Sequence, residues 1–372
     1  MKLLFITYGL ASGGAERFLT DMLNELSKKN NVDITLLFLK SGKNPKDSFY
    51  LPELNKKVKV EWLGYEKLKL SVVSTLYKYI KSNSPDIVHV HLSPIILLCL
   101  KAIVYYRKPI YMETLHNEVA RIDNSSKIKR FLKHFVYHRS NVKICTISDK
   151  NASEFKRVYD RKCDVLIYNG RKYTPASAQF DARKSEVNCF KRNQETIVFT
   201  HIARFSPQKN QNLLIDSFNK LIEQGFNITL LVIGSGFDTP KGLELQAKAN
   251  KAIHFLGEQH DVQDYLLCSD AFCLSSNYEG MPITLIEAFA NGCIPLSTPV
   301  SGVTDLVVNG KNGFISADFT LDSYIDMLKR YVANRKKVDK KALIELYNSK
   351  LSIEACTESY YKFYKSLYDK SH

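Results

Sequence analysis

Short apolar runs alternate with longer amphipathic stretches along most of the chain. In the first half, KLLFITY (2–8), VDITLLFL (32–39), VKVEWLG (58–64), DIVHVHL (86–92), IYMETLH (110–116), VKICTIS (142–148) and CDVLIYN (163–169) have the length and side chains of β-strands. The rhythm resumes with TIVFTHIA (196–203), NITLLVIGSG (227–236), AIHFLG (252–257), AFCLSS (271–276), CIPLST (293–298) and GFIS (313–316). Helical patterns lie between most of these runs, and such alternation predicts parallel sheets covered by helices. The polar stretch RKYTPASAQFDARKSEVNCFKRNQE (171–195) has no clean period and separates the two series. The prediction is an α/β chain of two doubly wound domains, 1–176 and roughly 190–352. SIEACTESYYKFYKSLYDK (352–370) closes the chain with aromatic residues at three- and four-residue spacing, the pattern of a helix. In open parallel sheets ligands bind beyond the carboxyl ends of the strands. The functional residues are therefore expected in the loops just after strands, with the site in the cleft between the two sheets.

Length and composition agree with that outline. A chain of 372 residues is long for a single core, and 45% hydrophobic with 24% charged residues is ordinary for a globular protein. The apolar run at the start, in MKLLFITYGLASGG, is shorter than the ~7–15 residues of a signal-peptide core and is better read as a first strand. IILLCLKAIVYY (95–106) is broken by Lys101 and falls short of the ~20 residues that span a bilayer. A cytoplasmic protein without a membrane span is expected. The eight cysteines include no C-x-x-C pair, which argues against zinc and redox motifs and for reduced, buried thiols.

Charge changes the picture more. Residues 1–175 hold 31 Lys and Arg against 16 Asp and Glu, whereas residues 176–372 hold 22 of each. The excess in the first half suggests an anionic partner. It is densest in RIDNSSKIKRFLKHFVYHRSNVK (121–143), with seven Lys and Arg against one acid. From Lys127 onward, Ile128, Phe131, Leu132, Phe135 and Val136 recur at helical spacing. One reading is a helix whose apolar side packs on its sheet while the basic side is solvated. The other is peripheral contact with an anionic membrane. Nucleic acid is not expected, since no RNA- or DNA-binding motif accompanies the charge.

Four loops could hold an anion. GLASGGAERF follows the first strand, and Gly13 and Gly14 allow backbone N–H groups to approach a phosphate at a helix start. Its spacing is not G-x-G-x-x-G, and the second strand lacks an acid at its end, so a nicotinamide cofactor is disfavoured. In HIARFSPQKNQNLLI (201–215), Arg204 and Lys209 flank a Ser-Pro turn and could converge on one pyrophosphate. LLVIGSGFD (230–238) places Gly234 and Gly236 after an apolar strand, as close approach to a ligand requires. In SSNYEGMPITLIEAFANGCIP (275–295), Pro282 and Gly292 bracket a helix predicted over Pro282–Asn291, with Glu279 just ahead of it and Glu287 inside it. For each loop a plain turn or a solvated charge is the competing reading.

The segment NYEGMPITLIEAFANGCIPLSTPVSGVTDLVVNGKNGFI resembles the donor-binding segment of retaining glycosyltransferases with the GT-B fold, family 4 in particular, whose E-x7-E signature Glu279 and Glu287 fit. The likeness extends to GGAERF, PDIVHVH and TLHN in the first half and to ARFSPQKN and VIGSG in the second. It covers almost the whole chain in the family's order. It implies two Rossmann-like domains facing across a cleft, with the last helix (353–372) crossing back to the first.

The same resemblance implies roles. Arg204 and Lys209 would hold the diphosphate of a UDP- or GDP-sugar and stabilise it as it leaves. Gly13 and Gly14 would approach the phosphates, with Gly234 and Gly236 also on the donor side. Glu287 would accept the ribose hydroxyls. Glu279 would contact the transferred sugar beside the amides of Gly280, Met281 and Ile283, and His116 would stand near the reacting centre. The acceptor would be a glycan or lipid-linked saccharide of a cell-envelope polysaccharide. The sequence has no D-x-D pair, so no metal and no cofactor beyond the nucleotide sugar are expected. Two departures touch the donor sugar's identity: Pro282 stands where many members have glycine, and Asp305 where many have glutamate. A nucleotide-sugar epimerase of the same fold and a non-catalytic glycan-binding protein are the alternatives.

Overall fold

A computed structural model of the chain describes residues 1–91, 94–117, 119 and 126–371. It forms two compact units, Met1–Lys172 with Ile353–His372, and Tyr173–Ser352. All thirteen runs expected as strands form strands, and every pairing in both sheets is parallel. With the doubly wound order of each sheet described below, this is the GT-B architecture.

The first unit is built on β1 (Lys2–Thr7), β2 (Asp33–Lys40), β3 (Lys59–Tyr65), β4 (Ile87–His91), β5 (Ile110–Leu115), β6 (Val142–Thr146) and β7 (Val165–Leu166), in the spatial order 3-2-1-4-5-6-7. Its helices are α1 (Gly14–Leu26), α2 (Ser71–Asn83), α3 (Ile95–Leu98), α4 (Leu100–Tyr105), α5 (Lys127–Tyr137) and α6 (Asp149–Tyr159). Right-handed crossovers place α2 to α6 on one face of the sheet. There Val72, Ile80, Ile103, Val136 and Phe155 join Leu4, Ile6 and Val90 in one apolar core. The last helix of the chain, Ile353–Asp369, packs against α1. Its tyrosines reach buried polar groups of the strands: Tyr364 Oη lies 2.6 Å from His89 Nδ1 and Tyr360 Oη 3.2 Å from Thr114 Oγ1.

The second unit holds β8 (Ile197–Ile202), β9 (Ile228–Ile233), β10 (Ile253–Gly257), β11 (Ala271–Leu274), β12 (Ile294–Ser297) and β13 (Phe314–Ile315), in the order 10-9-8-11-12-13. Its helices are α7 (Phe180–Cys189), α8 (Gln211–Glu223), α9 (Pro240–Ala247), α10 (Val262–Leu267), α11 (Ile283–Ala290), α12 (Val303–Leu306), α13 (Leu321–Asn334) and α14 (Lys340–Leu346), and Ile353–Asp369 of the first unit is α15. The strand order reverses between β1 and β4 in one unit and between β8 and β11 in the other. These reversals are the positions where loops diverge and leave a crevice for a ligand.

Several expectations change. α7 lies inside the stretch read as irregular; its apolar residues are sparse, and it is held by Arg183, whose guanidinium sits 4.5 Å over the Tyr265 ring of α10. CDVLIYN contributes only a two-residue edge strand, because β6 is its one neighbour. All eight cysteines are free, but only five are buried: Cys163 and Cys268 are half-buried and Cys189 is exposed. Of the basic segment 121–143, residues 121–125 lie outside the described residues. α5 forms as its spacing predicts, yet the side it buries carries Lys133, Val136 and Tyr137, while Ile128, Phe131 and Phe135 face outward. No helix among the described residues is long and apolar enough to cross a membrane.

Candidate functional site

In the second unit, the loops after β8 and β11 stand side by side at the reversal of strand order. The β11 loop, Ser275 to Pro282, ends where α11 begins; Pro282 is the cap residue just ahead of the helix, with an extended backbone that suits its fixed φ. Glu279 is only 7% exposed. A charge there requires a partner, and Lys209, from the other loop, supplies it with Nζ 2.6 Å from Glu279 Oε1. Ser276 Oγ donates to the same oxygen at 2.6 Å. The second carboxylate oxygen, Oε2, receives only a long contact of 3.5 Å from Gln208 Nε2. One oxygen of Glu279 is thus filled by the protein and the other still has lone pairs to offer.

Further bonds stitch the two loops together. Ser275 Oγ donates to the Lys209 carbonyl at 2.8 Å, Asn277 Nδ2 to the Pro207 carbonyl at 2.9 Å, and Gln208 Nε2 to the Tyr278 carbonyl at 3.1 Å. The Arg204 side chain is exposed and makes no ion pair among the described residues. Sequence reasoning expected Arg204 and Lys209 on one pyrophosphate; the fold pairs Lys209 with Glu279, leaving two of the ammonium's three N–H groups for an anion. Glu287 is half-buried on α11, one turn after Ile283. Gly280 and Met281 are buried, and Gly302 explains how they are held. Its φ is +77°, and a Cβ there would sit 2.8 Å from the Gly280 carbonyl oxygen.

Gly234 also has a use within the fold. With φ of +147°, a Cβ on it would lie 2.1 Å from the Ala203 carbonyl oxygen. Its closest approach is to the backbone of the Arg204 loop, and Gly236 (φ +86°) comes next to Phe205 in the same way. The glycines after β9 let two protein loops meet, with Phe205 N–H donating to the Ser235 carbonyl at 2.8 Å.

In the first unit, α1 starts at Gly14 with Gly13 as its cap residue; no cap side chain bonds that helix end, and the Glu16 carboxylate lies beside Gly13. Gly13 is extended (φ −154°, ψ 159°), a conformation open to any residue. His116 follows β5 and is buried against Phe18. Its Nε2 lies 2.9 Å from Nδ1 of His91, the last residue of β4. Burial pushes His116 down to about 4 and His91 well below the usual histidine range, so both rings are neutral at neutral pH. One ring then donates and the other accepts. The outer nitrogens, His116 Nδ1 and His91 Nε2, have no hydrogen-bond partner among the described residues. His89, 4.2 Å from His91 ring to ring, spends both its nitrogens on Tyr364 and Thr114.

Two family models match the chain, Glycosyltransferase Family 4 over residues 12–172 and Glycosyl transferases group 1 over residues 183–343. The chain is a glycosyltransferase of these families. It is 27% identical over 324 residues, 82% of its length and 81% of the relative's, to UDP-Gal:alpha-D-GlcNAc-diphosphoundecaprenol alpha-1,3-galactosyltransferase of Escherichia coli. It is 23% identical to the capsular polysaccharide biosynthesis glycosyltransferase CapH of Staphylococcus aureus, covering 91% of this chain and 92% of that one. Among solved structures, Anabaena Alr3699/HepE in complex with UDP superposes with a TM-score of 0.81 at 17% identity, over 98% of this chain and 100% of that one.

The glycosyltransferase also contains site neighbours that its sequence did not single out. His201, fully buried at the end of β8, faces the Cys273 carbonyl with Nδ1 at 2.9 Å. A carbonyl only accepts, so Nδ1 carries the proton and Nε2 is bare. That bare nitrogen accepts from Gln211 Nε2 at 3.4 Å, and the same amide donates to the Arg204 carbonyl at 3.0 Å. Ser206 N–H returns a bond to Gln211 Oε1 at 3.4 Å. Gln211 therefore clamps the Arg204 loop from the first residue of α8. Burial pushes His201 down to about 4, against the Cys273 bond, which opposes the shift, and with the Lys209 charge, which adds to it. The available signal was a buried His and a Gln ten residues apart around a loop.

Proposed function

We propose that this glycosyltransferase moves a hexose-type sugar, with retention of configuration and without a metal, from a UDP- or GDP-sugar to a glycan or lipid-linked acceptor at the inner face of the cytoplasmic membrane. The product belongs to a cell-envelope polysaccharide. The observation that carries this reading is the buried Glu279–Lys209 pair at the strand-order reversal of the second unit. The E. coli relative, named for a galactose donor carried on UDP and a diphosphoundecaprenol acceptor, supports the donor and acceptor classes.

Each residue then has a task. Glu279 Oε2, the oxygen the protein leaves open, accepts sugar hydroxyls, while Oε1 stays tied to Lys209 and Ser276. Gly280, Met281 and Ile283 offer backbone N–H groups at the start of α11, where the helix carries partial positive charge. Glu287 accepts from the ribose. The bond from the anomeric carbon to the diphosphate breaks as the acceptor oxygen arrives on the same face, and the departing diphosphate takes the acceptor's proton. Its growing negative charge meets the Lys209 ammonium, the Arg204 guanidinium and helix N-termini, the preorganised stabilisation a metal ion would otherwise provide. In the first unit, Gly13 and Gly14 take part in binding the phosphates, and His116 offers its outer nitrogen to a hydroxyl.

Thermal shift against a panel of uridine and guanosine diphosphate sugars tests the donor, because a ligand of the folded state raises stability as RT ln(1 + [L]/Kd). One nucleotide sugar should stand out, and it should turn over in the presence of EDTA with its anomeric configuration kept. A panel without any shift, or turnover that EDTA abolishes, sinks the reading at that point.

A further inference from the structure

Three buried histidines cluster on β4 and just after β5, and the fold completes only one of them. His89 has Tyr364 Oη at 2.6 Å from Nδ1 and Thr114 Oγ1 at 2.8 Å from Nε2. A hydroxyl can donate or accept, so either tautomer of His89 is served. His91 and His116 share a single bond, from Nδ1 of one to Nε2 of the other at 2.9 Å, and their outer nitrogens have no partner among the described residues. Aromatic rings hold the pair in place. Phe5 and His89 lie 6.0 Å and 4.2 Å from the His91 ring, and Phe18 lies 6.3 Å from His91 and 5.6 Å from His116.

Burial keeps both rings neutral, so each carries one ring proton and one of the two protons lies in the shared bond. Two arrangements satisfy that bond. If His91 Nδ1 donates, the other proton is on His116 Nδ1. If His116 Nε2 donates, the other proton is on His91 Nε2. Each leaves one bare nitrogen and one unmet N–H, and they differ in which ring carries the N–H. A buried N–H is rarely left unmet in a folded protein. His91 is 1% exposed and His116 9%. His116 also opens the loop after β5, on the carboxyl edge where a parallel sheet receives its ligand. Only the first arrangement puts the unmet N–H on the ring that a ligand can complete.

We propose that His91 is a positioning residue: it donates through Nδ1 to His116 Nε2 and so fixes His116 as the Nδ1–H tautomer, a hydrogen-bond donor toward the substrate. The tautomer of one imidazole nitrogen is set by the bond that the other makes. A neutral imidazole left alone prefers its proton on Nε2, so the Nδ1–H form has to be imposed. An N–H at that point recognises an oxygen lone pair on the sugar. It cannot take up the proton of an attacking hydroxyl, because Nδ1 already holds one. His116 is then a binding group and no general base, and the acceptor's proton leaves with the diphosphate. In IVHVH of β4 the first histidine secures the last helix and the second tunes a site residue. The substrate side of this proposal rests on the functional reading above, whereas the tautomer rests on the fold alone.

The test is NMR of isotope-labelled histidine nitrogens in the full chain at neutral pH, without donor or acceptor, where correlations to the ring hydrogens tell a protonated nitrogen from a bare one. The signals that vanish in His116→Phe and His91→Leu assign the two rings. In the wild type both should be protonated on Nδ1 and bare on Nε2. Protonation of both on Nε2 overturns the proposal. His91→Asn, whose amide N–H stands near the place of Nδ1, should keep His116 in the Nδ1–H form, and His91→Leu should return it to Nε2–H. UDP-galactose, the donor named for the E. coli relative, supplies the second readout. Its consumption should slow about 10- to 100-fold in His91→Leu and stay within about threefold of wild type in His91→Asn. An unchanged His116 tautomer or an unchanged rate in His91→Leu overturns the positioning role. Should that variant fail to fold, the wild-type and His91→Asn spectra decide the tautomer by themselves. A wild type with both rings in the Nδ1–H form that consumes no nucleotide sugar would condemn the functional reading alone.

Discussion

The candidate sites of the two units differ in how their buried polar groups are met, although Ser206 Oγ of the second also has no partner among the described residues. In the second, Glu279 Oε1 is filled by Lys209 and Ser276, and the Gln211 amide uses its oxygen and nitrogen on Ser206, Arg204 and His201. In the first, His91 and His116 bond each other and leave their outer nitrogens buried without a partner among the described residues. The second unit balances its charges and the first carries the net +15 of the chain. A site wired to itself holds its geometry before a ligand arrives; one with unmet polar atoms has bonds still to make. Under the proposed reading, the donor half is preorganised and the half that meets the acceptor and membrane is completed by what it binds.

The sharpest way to break this contrast is Lys209→Ala. It should lower turnover about 100- to 1,000-fold, the cost of removing a principal charge-stabilising group. It should also lower stability by about 2 kcal/mol, less than the ~3–5 kcal/mol of a fully buried pair because Lys209 keeps some access to solvent. Adding Glu279→Gln should restore most of the stability and none of the turnover. The sequence alone predicted only the loss of activity, since the two residues are 70 positions apart and nothing in their spacing says they meet. Denaturant melts that show no loss for Lys209→Ala would mean that Glu279 is not held by this pair.

Next in size is the response to acid. His116 and His201 titrate near 4 in the folded protein and near 6.5 when unfolded, and His89 and His91 are also held well below 6.5, in each case mainly by burial. The unfolded chain therefore takes up protons first. The stability these rings contribute is fully present above pH 6.5 and is lost as the pH falls toward 4, at about 1.4 kcal/mol per pH unit for each histidine. His201→Gln keeps both hydrogen bonds, with its amide donating to Cys273 and accepting from Gln211, and cannot titrate. Melts between pH 7.5 and 5 should show a slope reduced by one proton. An unaltered slope would remove His201 from the account.

A smaller effect tests the clamp. Gln211→Leu leaves the Arg204 carbonyl, the Ser206 N–H and His201 Nε2 unmet, and should cost about 1–2 kcal/mol of stability. Because the clamped loop carries Arg204, KM for the nucleotide sugar should rise more than kcat falls. A loss confined to kcat would detach Arg204 from donor binding.

Much of this was readable in the chain, for reasons that particular residues make plain. The strands of both units are apolar runs buried on both faces, such as IVHVH of β4 and ITLLVI of β9, so their existence and order were legible. The lengths of β7 and β13 were not legible: each pairs with one neighbour and ends after two residues. For α5 the periodicity gave the helix but not its inward side: a stripe at three- and four-residue spacing does not say whether protein or solvent lies beyond it. Glu279, Arg204 and Lys209 stood out in the loops after strands and took their roles from the resemblance, whereas Ser276, Gln211, His201 and His91 emerged only when the loops were brought together. The glycines are the least alike in what the fold asks of them. Gly13 and Gly234 both follow strands and look alike in sequence, and the fold asks different things of them.

That difference makes the smallest and most discriminating experiment. Gly234 has a left-handed φ and no room beside the Ala203 carbonyl, so Gly234→Ala must disturb the backbone that carries Arg204 and should lower the melting temperature clearly. Gly13 is extended, and an added Cβ would meet only the tip of the Glu16 side chain, which can turn aside. Gly13→Ala should then leave stability within about 0.5 kcal/mol, as surface substitutions do. If the open end of α1 receives a phosphate, the new methyl group stands where the anion approaches, and KM for the nucleotide sugar should rise about threefold to tenfold. Equal destabilisation by the two alanines would make Gly13 a packing residue like Gly234. An unchanged KM would leave the helix end without a ligand and confine the phosphate contacts to the second unit.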